Sequence, residues 1–322
     1  MVHDDLIASA RRRIRLVTAA GVALLAFTIT MLVFPMALVL FAAFAALGAR
    51  WGFGWGLVWW SLGVSAAFGV IGAVGVFAWS LARSERHALE LVRAWPMPDR
   101  DTPPPPRLPD GAYRRARNLI DGLSLAAGVL PPSCAVVIDD APNCLTVGRQ
   151  PTSAWIVVTT GLLESLPRAE LESVLAYEIG RVAELDVSLD TVVYACTRRV
   201  FELWAGVFDD LDEMTFLLGP LALLATPLVV GSALLRAVVL RTRARLSDGL
   251  AVRYCRNPVA LARGLRRIVE DTREVRGGDP GNAHLWLEYP HTRSSRWFLR
   301  TDRILPERVR RIEKIARLPE PT

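Results

Sequence analysis

Lysine is almost missing from this sequence. Its basic residues number 38, and of these only Lys314 is a lysine; the arginines are spread along the chain without aromatic residues between them. Surfaces that bind nucleic acid combine clustered basic side chains with stacking aromatic ones, so this distribution argues against a nucleic-acid partner. It indicates a high-GC bacterial genome, and it suits arginines that lie beside anionic lipids or solvate helix faces.

Cysteine is scarce as well. None of the four cysteines has the Cys-x-x-Cys spacing of a redox or zinc motif, so we expect reduced, mostly buried thiols in a cytoplasmic domain. The sequence also has no internal repeat and no glycine-rich phosphate loop. The four cysteines are Cys134, Cys144, Cys196 and Cys255.

Long apolar segments near the N-terminus are abundant by contrast. Leu16 to Leu47 is a run without charged residues, and Trp51 to Leu81 is a second run, with Arg50 between them. Each run is longer than the ~20 residues that cross a bilayer core. Tryptophans at the start of the second run are typical of a membrane interface. We therefore predict a transmembrane helical hairpin over residues 16–82, with the lipid bilayer as a partner.

Arginines flank this hairpin on both sides, whereas the connecting loop holds only Arg50. By the positive-inside rule, both ends of the hairpin face the cytoplasm. We predict a basic cytoplasmic N-terminus (1–15), a proline-rich linker (83–112) and a cytoplasmic domain, in a multi-pass protein of the inner (plasma) membrane. The flanking residues are Arg11, Arg12, Arg13 and Arg15 before the first run and Arg83, Arg86 and Arg93 after the second.

The rest of the sequence favours helices with a few short strands. Helical periodicity dominates, and β-branched runs are short. Pro167 followed by Glu170 marks a helix start, because an acidic side chain is favourable near a helix N-terminus. We predict a mainly α fold with a small β-sheet. The expected helices are Ala112–Ala127, the one after Pro167, Pro258–Asp271 and Pro306–Ala316, and the expected strands are Ala135–Ile138 and Trp155–Thr159.

The helix after Pro167 carries the most informative motif. At residues 177–181 the sequence YEIGR resembles the HExxH motif of zinc proteases, in which two histidines one turn apart hold zinc. The glutamate of that motif takes a proton from the metal-bound water. Here Glu178 is kept, but Tyr177 is a neutral phenol near pH 7 and Arg181 has no lone pair for a metal. The helix resembles a zinc-protease active site without its ligands.

Several segments in the same order extend this likeness. The chain resembles the HtpX-type membrane zinc metallopeptidases, relatives of the CAAX prenyl proteases, from residue 113 to residue 315. The matching segments are NCLTVG at 143–148 (family NAFATG), IVVTTGLL at 156–163 (its edge strand and turn), ELESVLA at 170–176 (ELxxVLAHE), RTRARLSD at 241–248 (SRxREFxAD) and TDRILPERV at 301–309 (THPPLxxRI). The resemblance implies a zincin-like α+β domain over residues 113–318.

Every metal-ligand position of that family is changed in this chain. Tyr177 and Arg181 stand at the two helix histidines, Ala244 stands at the distal glutamate, and Asp302 stands at the late histidine. A zinc ion beside the permanent charge of a guanidinium is unfavourable. We therefore predict that the chain binds no zinc and needs no other cofactor.

The same comparison gives roles to the residues that remain. Glu178, at the position of the general base, is expected to be non-functional and to pair with Arg181 one turn later. The guanidinium would take the place of the metal and bridge Glu178 to another acid, with Asp248 and Asp302 as candidates. Likeness to the family's edge strand also makes one strand a candidate peptide-binding edge. Its residues are Trp155, Ile156, Val157, Val158 and Thr159.

A third apolar stretch, Thr215–Val239, lies inside the domain. The motif helix and the RTRARLSD segment must meet in one domain, so an even number of membrane crossings separates them. The only candidate partner is Val187–Phe208, which is a costly span because it contains four ionisable residues. We predict an inserted helical pair at 187–239 that packs on the first hairpin and enters the membrane only in part. The ionisable residues are Asp190, Arg198, Arg199 and Glu202.

Three functions remain open at this point. The first is a catalytically inactive pseudoprotease that acts as a scaffold or regulatory subunit and binds other membrane proteins or an active relative. The second is an active membrane metalloendopeptidase with non-standard ligands, such as His284 and His291 with a carboxylate. The third is a structural subunit of a membrane protein complex. Metal content separates the second function from the other two.

Overall fold

The computed structural model of the chain describes residues 12, 15–23, 26–27, 30, 55–97, 111–195, 198, 257–278, 282–288, 309–310 and 312–313. Its elements are α1 (Trp55–Leu91), β1 (Trp95–Pro96), α2 (Ala112–Ala127), β2 (Ser133–Val137), β3 (Cys144–Val147), a 3₁₀ turn (Pro151–Ser153), β4 (Trp155–Thr159), α3 (Thr160–Ser165), α4 (Arg168–Ala183), α5 (Pro258–Glu270) and a 3₁₀ turn (Ala283–Leu285). Residues 186–195 are also helical. The predicted mainly helical fold with a small sheet is confirmed.

The chain divides into two compact units. One comprises Met1–Ile14, Arg83–Tyr194 and Ala237–Thr322, and it contains the sheet and helices α2 to α5. The other comprises Arg15–Ala82 and Ala195–Arg236, and it contains most of α1. Most of the predicted insertion at 187–239, including residues 199–239, lies outside the described residues.

The sheet has four strands in the order β1–β2–β4–β3. Strand β2 pairs with β4 in parallel, and β3 pairs with β4 in the antiparallel direction. Strand β4 is therefore an inner strand, and the prediction that Trp155–Thr159 forms a peptide-binding edge is wrong. The likeness to the family's edge strand suggested an edge position, but this β-branched strand lies between two neighbours, as near-continuous apolar strands usually do. The edge strand beside β4 is β3, which was not predicted as a strand.

Side chains alternate across this sheet and build two apolar clusters. On one face, Cys144, Ile156 and Val158 pack in a cluster with residues of α2, α4 and α5. On the other face, Leu145 and Val157 pack in a cluster that also contains Ala88 and Val92 from the end of α1. Helix α4 has buried residues all around its circumference rather than along one stripe, because it packs against α2 and α5 as well as the sheet.

Helix α1 includes the segment Trp59–Leu91, which is long and apolar enough to cross a membrane, and 18 consecutive residues within it have a mean hydropathy of 1.9. Large apolar side chains are exposed on it, among them Trp59 and Trp60. Residues 15–23, 26–27 and 30 are helical, and a Cβ on Gly69 would lie 2.0 Å from Thr30 Oγ1, so the two helical segments touch there. Because residues 31–54 lie outside the described part of the chain, the transmembrane hairpin remains a prediction.

The first part of the linker predicted over residues 83–112 has regular structure instead. Helix α1 continues to Leu91, and Trp95–Pro96 then pair with β2. The helix continues past residue 82 because Ser84 and Ala88, one turn apart, are buried on one side of it, and Val92 just after its end is buried as well. Residues 98–110, which contain the proline run, lie outside the described residues.

Gly161 allows the start of α3 to approach the chain before β3. A Cβ at Gly161 would lie 2.0 Å from the carbonyl oxygen of Asp140, which is backbone and has no freedom to rotate away. Gly122 in α2 has nothing within 4 Å of its Cβ position, so its substitution meets open space.

We expect Gly161→Ala to lower the free energy of unfolding by about 1–3 kcal/mol, because the added methyl group overpacks a rigid site. Gly122→Ala is the matched control and should raise it by about 0.5–1 kcal/mol, because alanine is the better helix former. Denaturant unfolding of the detergent-solubilised protein measures both values. Equal effects of the two substitutions would contradict this account of Gly161.

Candidate functional site

The candidate site is a group of buried polar side chains where α4 faces β3. Tyr177, Glu178 and Arg181 are respectively 2%, 0% and 3% exposed. Glu178 and Arg181 are three residues apart on α4, so they lie on the same side of the helix. Thr146 is on the face of β3 that also holds Cys144, and it points to the same place.

Arg181 lies between two carboxylates. One guanidinium nitrogen donates to Glu178 Oε2 at 2.6 Å, and another donates to Asp190 Oδ2 at 2.6 Å. Glu178 Oε2 also accepts a hydrogen bond from Thr146 Oγ1 at 2.7 Å. The guanidinium carbon is 5.8 Å from the centre of the Tyr177 ring, within the range of a cation–π contact. We call these five residues the Arg181 cluster.

A turn between α4 and the next helical segment brings Asp190 to the cluster. Leu185 adopts a φ of 63°, in the left-handed region that costs a non-glycine residue on the order of 1–2 kcal/mol. The helical residues 186–195 then run beside the end of β3, where Thr191 Oγ1 accepts a hydrogen bond from the backbone N–H of Gly148 at 2.9 Å. Because Thr191 follows Asp190 directly in the chain, this hydrogen bond also holds Asp190 in place.

The electrostatics of the cluster keep Arg181 charged. Burial alone would lower the pKa of Arg181, but the nearby acidic groups, Glu178 first, raise this pKa above its ordinary value overall. Charged hydrogen bonds of 2.6 Å to both carboxylates are of the strong, charge-assisted kind. In the described part of the chain, Glu178 Oε1 and Arg181 Nε form no hydrogen bond, although both are buried.

A zinc ion does not fit this arrangement. Glu178 Oε2 is already bonded to Arg181 and Thr146, and the guanidinium has no lone pair to offer a metal. A unit positive charge repels another by ~4 kcal/mol at 4 Å and an effective dielectric constant of 20, and a dication doubles that cost. The described residues contain no group of three or more His, Cys, Asp or Glu side chains that suits a metal ion. Ala244 lies outside the described residues.

The contact predicted between Glu178 and Arg181 is confirmed, but its second acid is different. Asp190 pairs with Arg181, whereas the candidates Asp248 and Asp302 lie outside the described residues. From the sequence, Asp190 was expected only as a costly ionisable residue in an apolar stretch, and Thr146 was not predicted as a site residue. Thr146 could have been found from the sequence, because it puts a hydroxyl where the family segment NAFATG has its second alanine, on the strand next to α4.

The alternative catalytic groups are poorly suited to chemistry. His284 Nε2 lies 3.3 Å from the backbone carbonyl oxygen of Asp190, and its ring is 6.2 Å from that of Tyr194. Burial, with the charge of Glu178 second, raises the pKa of Cys144 well above the ordinary range of a thiol. Burial also raises the pKa of Cys134 to about 12. Neither thiol is a reactive thiolate near neutral pH. His291 lies outside the described residues.

A sequence model described as Peptidase family M48 matches residues 114–316 of this chain. This region includes β2 to β4, α4 with the Arg181 cluster, and α5. The chain belongs to peptidase family M48. The resemblance drawn from the motif segments is therefore confirmed at the level of the family.

Curated relatives of this M48 chain carry the name "Protease HtpX homolog". One, from Thermoanaerobacter pseudethanolicus, is 27% identical over 83% of this chain and 88% of its own length. Another, from Caldanaerobacter subterraneus, is 30% identical over 62% of this chain and 71% of its own. A third, from Pyrococcus abyssi, is 32% identical over 53% and 63%. No solved structure matches this chain.

Removing the central cation should destabilise this M48 domain strongly. We expect Arg181→Ala to lower the free energy of unfolding by about 3–5 kcal/mol, because it leaves two buried carboxylates without their partner. Arg117→Ala removes an ion pair with Asp121 in which both side chains are more than a third exposed, and it should cost only ~0–1 kcal/mol. Denaturant unfolding monitored by tryptophan fluorescence compares the two. Similar losses for both variants would show that the cluster contributes little.

Proposed function

We propose that this chain is a catalytically inactive, membrane-anchored member of the M48 family whose peptidase-type domain acts as a scaffold or regulatory subunit. One observation carries the proposal: Arg181 fills the position of a ligand histidine and is bonded to both Glu178 and Asp190. A carboxylate held by a guanidinium is a poor base, and without a metal no water is acidified for it.

The cluster links secondary-structure elements, as a bound metal ion would do in a metallopeptidase domain. Arg181 joins α4 to the helical residues 186–195, and Glu178 joins α4 to β3 through Thr146. The domain therefore keeps these three elements linked without the ion. A fold that persists after its chemistry is lost is suited to binding other proteins, such as membrane proteins or an active relative.

Zinc content tests this proposal directly. The full chain, purified in detergent without chelators, should contain no stoichiometric zinc by elemental analysis, because Arg181 repels a dication. The repaired variant Tyr177→His/Arg181→His/Ala244→Glu, with Asp190→Asn to remove the acid left without its partner, should gain zinc and serves as the positive control. About one zinc per wild-type chain, lost on Glu178→Ala, would refute the inactive assignment and favour a metallopeptidase with non-standard ligands.

We further propose a multi-pass topology in the plasma membrane, with the domain in the cytoplasm. The apolar segment Trp59–Leu91 and the exposed Trp59 and Trp60 support membrane insertion, and the arginine balance around the two apolar runs supports the orientation.

Cysteine labelling of whole cells tests this orientation in a background without the native cysteines. A cysteine at the exposed position Arg83 should react with an impermeant maleimide only after the cells are opened, because the arginine-rich flank stays inside. A cysteine at Arg50, in the loop between the apolar runs, should react in intact cells. Labelling of the residue-83 variant from outside would overturn the topology.

A further inference from the structure

The outer edge of β3, on the side away from β4, is covered by the chain itself. Leu145 forms an antiparallel bridge with Trp286. The backbone N–H of Leu287 donates to the carbonyl oxygen of Cys144 at 2.8 Å. Residues 286–288, which we call the covering segment, therefore lie where an additional strand would add to the sheet.

The side chain of Asn143 extends this pairing by one residue. Its Nδ2 donates to the carbonyl oxygen of Glu288 at 2.7 Å, and its Oδ1 accepts from the backbone N–H of Glu288 at 3.1 Å. The same Oδ1 accepts from the backbone N–H of Cys144 at 2.9 Å. Alternate residues of an edge strand present both backbone groups outward, and at Cys144 both are already bonded within the chain.

The side chains of the covering segment alternate as those of a strand do. Trp286 is buried in the cluster that contains Leu145 and Val157. Leu287 is buried in the cluster that contains Cys144 and Ile156. The segment therefore continues the sheet on both faces, even though only one bridge pairs it with β3.

We propose that the covering segment is an intramolecular strand that closes the β3 edge against other extended chains. The closed edge is the one beside the Arg181 cluster, since Thr146 of β3 bonds to Glu178. The inference rests on the proposed function and deepens it, because it assigns the sheet edge beside the Arg181 cluster to a contact within the chain. An unfilled edge strand pairs readily with any extended polypeptide, and a covering strand prevents this.

The test uses the full chain in detergent and a fluorescein-labelled peptide with the sequence AHLWLEYP, which copies residues 283–290. The release variant is Trp286→Ala/Leu287→Pro, in which proline deletes the N–H that donates to Cys144. The control variant Trp95→Ala/Glu274→Pro makes the same two kinds of change, at a tryptophan with an exposed side chain and in a loop. A peptide of scrambled sequence controls for apolar adsorption.

By fluorescence polarisation, the peptide should bind the release variant at least about tenfold more tightly than it binds the wild type or the control variant, because the tethered copy competes at high effective concentration. Equal binding to the wild type and the release variant would overturn the proposal. So would an absence of binding to all proteins, since the freed edge would then take no strand.

Amide hydrogen exchange of the wild type gives a second readout that needs no variant to fold. The amides of Leu287 and Glu288 should exchange at least about a hundredfold more slowly than in the free peptide, because both are bonded to the β3 edge. Exchange at the free-peptide rate would refute the closed edge. Neither measurement depends on zinc content, so failure of this inference is distinguishable from failure of the inactive assignment.

Discussion

The buried salt-bridge pair around Arg181 is the interaction on which the domain depends. It joins three elements, because α4 carries Arg181 and Glu178, β3 reaches Glu178 through Thr146, and the helical residues 186–195 carry Asp190. A buried charge is tolerated only when its partners are in place, so each element constrains the position of the other two. The left-handed Leu185 and the contact between Gly148 and Thr191 are understandable as parts of this constraint.

The same interaction distinguishes what this chain shares with the M48 family from what is its own. The family match covers strands β2 to β4 and the motif helix, and the helix retains the glutamate of HExxH. Arg181 nevertheless stands where the motif has its second histidine, and its charge is balanced by Glu178 and Asp190. A guanidinium offers no lone pair to a metal, which is why we propose that the site does not activate water. The fold can therefore be inferred from family membership, whereas the activity has to be inferred from the residues of the site.

The covering segment and the Arg181 cluster act on neighbouring parts of one strand. Cys144 on β3 meets Leu287, and Thr146 on the same strand meets Glu178. In the proposals made above, the Arg181 cluster takes the place of a metal and the covering segment takes the place of an added strand. Both proposals replace an external ligand by residues of the chain.

Local pattern in the sequence determined the helices, the membrane-like apolar segment and the contact between Glu178 and Arg181, because each depends on neighbours within a few residues. Strand order could not be predicted from local pattern, because pairing joins residues far apart in the chain. Likeness to the family's edge strand predicted an edge position for β4, yet β4 lies between β2 and β3. The ion pair of Arg181 with Asp190 likewise depends on the turn at Leu185. The contact of residues 286–288 with β3 joins segments about 140 residues apart in the chain. Tertiary structure alone decided these contacts, because burial brings together charges and backbone groups that no local spacing relates.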